Sequence, residues 1–436
     1  MIVGVAAVAA ISHRWGYRLG GVMTVPLVAI YTFRELFSPL VFVVGVVVAW
    51  VALWVTREYT LNHGRRVFLI AVLAGAGGTV GFAYLAAFHT SAHFPFANAE
   101  VVASIFPGVA AYNLMRIDRE NRLADILASI ALFIVLVILG VAGLLVFEGR
   151  HVFSPPVLDL PTSDIVTWLG LEPQGEAVTR ITPDWLAIAL LVGDISIYES
   201  IRKRYDLRLL GIIVLPLLAV FSARLEAIIA VFAIGAAAVF VLVTFVHWLS
   251  LLYGRVLLGF SLVIGSCFAL VTGVLAPSGL PGLTLFFIGL FAGIAGYNLH
   301  YVSPSRRAAT LRISAGLFVV FYALLFLVID IPPRGVLHDR ALGYALLGTL
   351  AVGLGAVEVY RLEQSRPKRS SFARASVFAG VDAGGADAAD SPLVDGADDV
   401  GSSQRSPQES TSGMAFSSPS TDQDTETPSR EVDRRE

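Results

Sequence analysis

The sequence predicts an all-α polytopic integral membrane protein of about 13 transmembrane helices, laid out as two parallel six-span repeats, one extra helix and a disordered C-terminal tail. Three observations carry that prediction. Hydrophobic residues make up 56% of the 436-residue chain and charged residues only 15%, against roughly 25% in soluble globular chains. Long apolar runs recur along the chain, each long enough or nearly long enough to cross a bilayer core. The chain also repeats itself. Arg18-Leu19 and Gly21 return as Arg208-Leu209 and Gly211, Pro26-Leu27 as Pro216-Leu217, Val41-Phe42 and Gly45 as Val231-Phe232 and Gly235, and Gly64-Arg65 as Gly254-Arg255, all at an offset of 190. A later block repeats at an offset of 185: Phe106-Pro107-Gly108-Val109-Ala110-Ala111-Tyr112-Asn113-Leu114 against Phe291-Ala292-Gly293-Ile294-Ala295-Gly296-Tyr297-Asn298-Leu299. Duplication on this scale sets the architecture. The ten-residue alternation of a transmembrane β-barrel is absent.

Six apolar segments fill the first half, near 1–12, 19–33, 38–56, 67–88, 99–115 and 123–147. Six more fill the second, near 184–201, 208–222, 226–251, 256–276, 281–299 and 311–330, and a thirteenth lies near 341–360. The second and eighth are short and contain Pro26 and Pro216, so they read as kinked spans or as re-entrant hairpins, and Pro107 is a third candidate kink. The domain reading is 1–147 for the first repeat, 148–183 for an extracytoplasmic linker, 184–330 for the second repeat, 331–360 for the extra helix and 361–436 for a cytoplasmic tail. From about 370 onward Ser, Asp, Gly, Thr and Pro dominate, too little apolar area to offset ordering entropy.

Arginine placement orients the chain. One set of connections holds Arg14 and Arg18, Arg57, Arg65 and Arg66, Arg116, Arg119 and Arg122, then Arg202, Lys203, Arg204 and Arg208, Arg255, and Arg306, Arg307 and Arg312. The alternate connections are nearly bare. The positive-inside rule puts the rich set in the cytoplasm, the N-terminus outside and the C-terminus inside, with full spans throughout. Six spans per unit is an even number, so both copies enter in the same orientation and relate by an axis along the membrane normal.

No soluble-enzyme signature is present. Gly75-Ala76-Gly77-Gly78 lacks the Lys-Ser/Thr of a phosphate loop and reads as close helix packing. His89 and His93 have ligand spacing but no third ligand, and the single cysteine, Cys267, excludes a disulfide framework. No catalytic residue, cofactor, metal or nucleic-acid partner is expected. Arg65, Arg66 and Arg255 fit either a topology and headgroup role or the bidentate capture of an anionic substrate or partner. Asn113 and Asn298 fit either interhelical hydrogen bonding or the lining of a polar path. Glu35, Glu100 and Asp330 sit at outer segment ends and read as solvated, whereas Asp194 and Glu199 lie deeper in the seventh segment.

Each copy resembles the small membrane subunit of poly-γ-glutamate synthase, the CapC/PgsC family of capsule biosynthesis. The residues that carry the resemblance are Val25-Pro26 and, more loosely, Leu215-Pro216; His63-Gly64-Arg65-Arg66 and Tyr253-Gly254-Arg255-Val256 at the end of a long span; and Pro107-Gly108-Val109-Ala110-Ala111-Tyr112-Asn113. The second copy departs from the last motif, with Ala292 for the proline and an extra tyrosine before Asn298. The resemblance implies a membrane subunit without catalytic residues of its own. Its implied partners are membrane lipid, a separate ATP-dependent amide ligase, other capsule-complex proteins and a polyanionic glutamate polymer. A stand-alone transporter of an anion or small solute is the alternative reading, and a non-catalytic scaffold a second.

Overall fold

The computed structural model describes residues 2–60, 65–90, 101–147, 163–170, 182–223, 225–275, 282–329 and 340–365. Among them the chain is all-helical. The first half holds α1 (Ile2–Trp15), α2 (Thr24–Arg34), α3 (Ser38–Tyr59), α4 (Arg65–Thr90), α5 (Val101–Met115) and α6 (Arg122–Phe147). A six-residue helix, α7 (Asp164–Leu169), follows. The second half holds α8 (Asp184–Tyr205), α9 (Val214–Ser222), α10 (Ala227–Ser250), α11 (Gly254–Leu275), α12 (Gly282–Tyr301) and α13 (Pro304–Val328), and α14 (Arg340–Gln364) closes the described chain. The tail beyond 365, and with it the expectation of disorder, lies outside the described residues, as do Glu100, His93 and Asp330 and the side chain of His89.

Among the described residues, six helical stretches are long and apolar enough to cross a membrane: Ser38–Tyr59, Arg119–Val146, Ala227–Ser250, Gly254–Leu275, Pro304–Val328 and Leu342–Gln364. They make this a multi-pass membrane architecture. The reading of full spans throughout is not met at α2 and α9. At 1.5 Å per residue their 11 and 9 residues rise only about 16 and 14 Å, half of a core of about 30 Å. The irregular segments before them are largely buried at Leu19, Leu207, Leu209 and Leu210, a setting in which a membrane interior tolerates non-helical backbone. Pro26 and Pro216 are each the third residue of their helix. In the first turn a missing N–H is no loss, so these prolines start helices rather than kink them. Pro107 stands inside α5.

Lipid removes most of the hydrophobic drive between helices, so small residues and close packing must hold them together. A side chain at Gly108 would overlap the Ala71 carbonyl, and one at Gly75 the Gly108 backbone, which puts α4 and α5 in direct backbone contact. A side chain at Gly293 would sit 2.9 Å from the Ser261 carbonyl, and one at Gly265 would overlap that of Gly289, which does the same for α11 and α12. Gly45 faces Pro107, and Gly235 faces Ala292. Gly78, from the glycine-rich run in α4, lies against Val48 of α3.

The first helix of each half leans on the other half. Ala9 of α1 abuts Gly259 of α11. Leu191 and Ile195 of α8 pack with Val72 of α4 and Ile105 of α5. A single apolar core draws Leu19, Leu27 and Tyr31 together with Leu209, Leu217, Phe221, Phe287 and Leu325. The small helix α7 docks on the first half: Ser163 donates its hydroxyl to the Phe33 carbonyl at 2.7 Å, and Ile165 and Val166 bury against Phe33 and Leu144. Glu35 is only 8% exposed, so this acid is enclosed by the protein rather than solvated at a segment end.

A candidate polar site at the arginine-rich end

The connection between α1 and α2 has unusual backbone. Leu19, Gly20 and Gly21 all take positive φ, at 48°, 65° and 127°. Glycine adopts such angles freely, but leucine does so only when its surroundings impose it. Two polar side chains supply that constraint. Asp125, in the first turn of α6 and 2% exposed, accepts from the backbone N–H of Arg18 at 2.6 Å and of Leu19 at 3.0 Å with one carboxylate oxygen. Asn113, near the end of α5, donates from Nδ2 to the Gly20 carbonyl at 3.1 Å and to its own Val109 carbonyl at 3.0 Å. Gly21 has to be glycine: a Cβ there would stand 3.3 Å from Asn113 Nδ2 at an already strained φ.

The remaining oxygen of Asn113 faces the second half. Its Oδ1 accepts from Arg255 Nη2, at the start of α11, at 3.4 Å, a long and weak bond. Arg18 approaches from the α1–α2 connection. Its Nη1 is buried and makes no hydrogen bond. Burial first, and then the charge of Arg116, draw the Arg18 guanidinium below the ordinary arginine value. Arg116, exposed at the end of α5, lies over the Tyr112 ring at 5.6 Å. The cluster is therefore cationic, with Asp125 beneath it and Asp118 at its margin.

The second half builds a related but different end. Asn298 donates to the Leu210 carbonyl at 2.9 Å, the position 190 residues beyond Gly20. Leu210 in turn donates its N–H to Ser314 Oγ at 3.3 Å. Arg208 stacks over Tyr301 at 5.3 Å. Tyr297 donates to the Gly254 carbonyl at 3.1 Å, and the Gly254 N–H donates to Tyr301 Oη at 3.0 Å.

Of the residues singled out in the sequence, Asn113 and Arg255 thus meet, and Asn298 anchors the corresponding connection in the other half. Arg66 is exposed, and the Arg65 side chain lies outside the described residues. Sequence reasoning passed over Arg18, Arg116 and Asp125. Arg18 carried a visible signal, its recurrence as Arg208, and Asp125 another, an acid at the head of a long apolar run. Among the described residues no group of three His, Cys, Asp or Glu side chains could hold a metal ion.

No curated protein and no solved structure matches the chain. Residues 3–123, from α1 to the first residues of α6, match the family model of capsule biosynthesis CapC. That stretch contains Arg18, Asn113 and Arg116 and stops short of Asp125 and Arg255. The amino-terminal residues 3–123 of this chain, less than a third of its length, are thus similar to the capsule biosynthesis CapC family.

Proposed function

We propose that the chain is the membrane subunit of a complex that makes and exports poly-γ-glutamate. In this reading it anchors a separate ATP-dependent amide ligase and helps the growing polyanion to elongate or cross the membrane. The observation that carries the proposal is the family match over residues 3–123. The arginine-rich end then faces the cytoplasm, where ligase and product are found, the N-terminus is outside and the C-terminus inside. Residues 184–330 act as a second copy of the unit, so one chain does the work of a dimer. The pairing of Gly108 with Ala71 and of Gly293 with Ser261, and of Asn113 with Gly20 and of Asn298 with Leu210, supports that duplication. Deleting the gene and assaying cell-bound and secreted poly-γ-glutamate tests the assignment; unchanged polymer would refute it.

One observation favours the transporter reading. Asp194, within α8, is fully buried and neither carboxylate oxygen has a hydrogen-bond partner. An ionisable group inside a membrane bundle is costly and by default a candidate for function. Solute flux through the purified chain in vesicles, without any ligase, would favour this second reading over the first.

A further inference from the structure

We infer that the arginine-rich end holds an oxyanion site shared between the two halves, formed by Arg18, Arg116 and Arg255 around Asn113, with a carboxylate or phosphate group as its ligand. The three guanidiniums arrive from three separate elements: the α1–α2 connection, the end of α5 and the start of α11. Asn113 ties them together: Arg255 reaches its Oδ1, its Nδ2 holds Gly20 two residues from Arg18, and the Arg116 N–H donates to its carbonyl, so that the positive charges bear on one another. Such convergence costs free energy unless an anion sits among the charges.

The protein's own acids do not fill that role. Asp125 commits one oxygen to two backbone amides, so its charge helps from below while its hydrogen-bonding capacity holds the connection. Asp118 is exposed at the margin. Three positive groups against two negative ones leave the cluster cationic. Asn113 occupies one Arg255 nitrogen only weakly, at 3.4 Å. The buried Nη1 of Arg18, without an acceptor, is the most direct sign of a missing ligand. A desolvated donor in that condition is costly, and any oxygen that reaches it relieves the cost. Guanidinium forks match the two oxygens of a carboxylate or phosphate.

The site needs both halves. Arg18, Asn113 and Arg116 lie within the family match, and Arg255 lies 132 residues beyond its end. At the related end of the second half, Tyr301 stands where the 185-residue offset places Arg116, so that end lacks the corresponding arginine. The inference concerns the site's chemistry and stands whether or not the polymer is poly-γ-glutamate.

The test uses the purified full chain. In an uncharged detergent, thermal stabilisation is titrated with inorganic phosphate and with a short γ-linked glutamate oligomer. The same measurement is made in nanodiscs of phosphatidylcholine with and without phosphatidylglycerol. Arg18→Gln, Arg255→Gln and the exposed Arg116→Gln are compared with wild type, and Arg18→Lys keeps the charge but loses the fork. The expected result is saturable stabilisation that weakens roughly tenfold or more in each Gln variant, as the loss of one charge-assisted contact requires. A response to the soluble probes identifies a free oxyanion, and a response only to phosphatidylglycerol identifies a lipid headgroup. Absence of saturable stabilisation by every probe overturns the site. So does equal stabilisation of wild type and all three Gln variants, and because Arg116 is exposed, its variant gives that answer even if Arg18→Gln fails to fold.

Discussion

Replacing Asp125 by alanine should free the connection between α1 and α2. The carboxylate accepts two backbone N–H groups, at 2.6 and 3.0 Å, in a place where water does not substitute. Hydrogen bonds to a charged acceptor contribute about 1.5–3 kcal/mol each, which gives a gross loss of about 3–6 kcal/mol. Part of this is offset, because a carboxylate 2% exposed has itself been taken out of water at some cost. The left-handed Leu19 also relaxes once released, recovering about 1–2 kcal/mol. The hydrogen bonds win, with a net effect on local opening of about 2–4 kcal/mol. That corresponds to a roughly 30- to 1000-fold rise in amide hydrogen exchange across residues 16–23. Asp125→Asn keeps an acceptor oxygen without the charge and should fall between alanine and wild type. Hydrogen exchange by mass spectrometry on protein in detergent reads both variants, with the α10 peptides as an internal control. Unchanged exchange over 16–23 in Asp125→Ala would show that the connection is held by packing of Leu19 alone.

Gly108→Ala should destabilise the α4–α5 contact by several kcal/mol, because its methyl overlaps backbone that cannot give way, whereas Gly77→Ala, with open space around it, should be silent; chemical unfolding in mixed micelles compares the two. Glu358→Gln loosens the seat of α14, since Glu358 binds Arg312 at 3.1 Å and Arg361 at 3.5 Å, but both arginines are well exposed, so the expected cost is only about 1 kcal/mol in the same assay. Asp194→Asn should retain or improve stability by removing a buried ionisable group, and a large loss would mean that the carboxylate has a partner in the folded protein. With Cys267 replaced, a cysteine at Trp168 should react with an impermeant reagent from outside intact cells and one at Ser410 should not; labelling at Ser410 would overturn the proposed orientation.

The helical membrane class was legible because apolar runs such as 38–56 and 226–251 are longer than any soluble core requires. The half-length of α2 and α9 was not, since composition marks a segment as apolar without saying where its helix starts. Leu19 and Leu209 look like the first residues of spans and are buried connection instead. Asn113 and Arg255 could be chosen because they recur, but their meeting could not be read, because it joins residues 142 apart across the two halves. Glu35 looked like a solvated end because sequence gives depth along a span and not enclosure by neighbours. Asp125 was hidden for the opposite reason: its partners are backbone amides, which every residue has and no sequence advertises.

The exchange of first helices between the halves bears on how such a chain could be assembled. Because α1 rests on α11 and α8 on α4 and α5, each half is completed by an element that the other half contributes. A covalent cut in the segment between 148 and 162 should therefore leave two fragments that stay clasped and copurify. Two separately expressed polypeptides, ending and beginning there, should find each other in the membrane by the same grip. The connecting peptide would then serve mainly to fix a one-to-one ratio and a high effective concentration, while the specificity of pairing is written into the helices themselves.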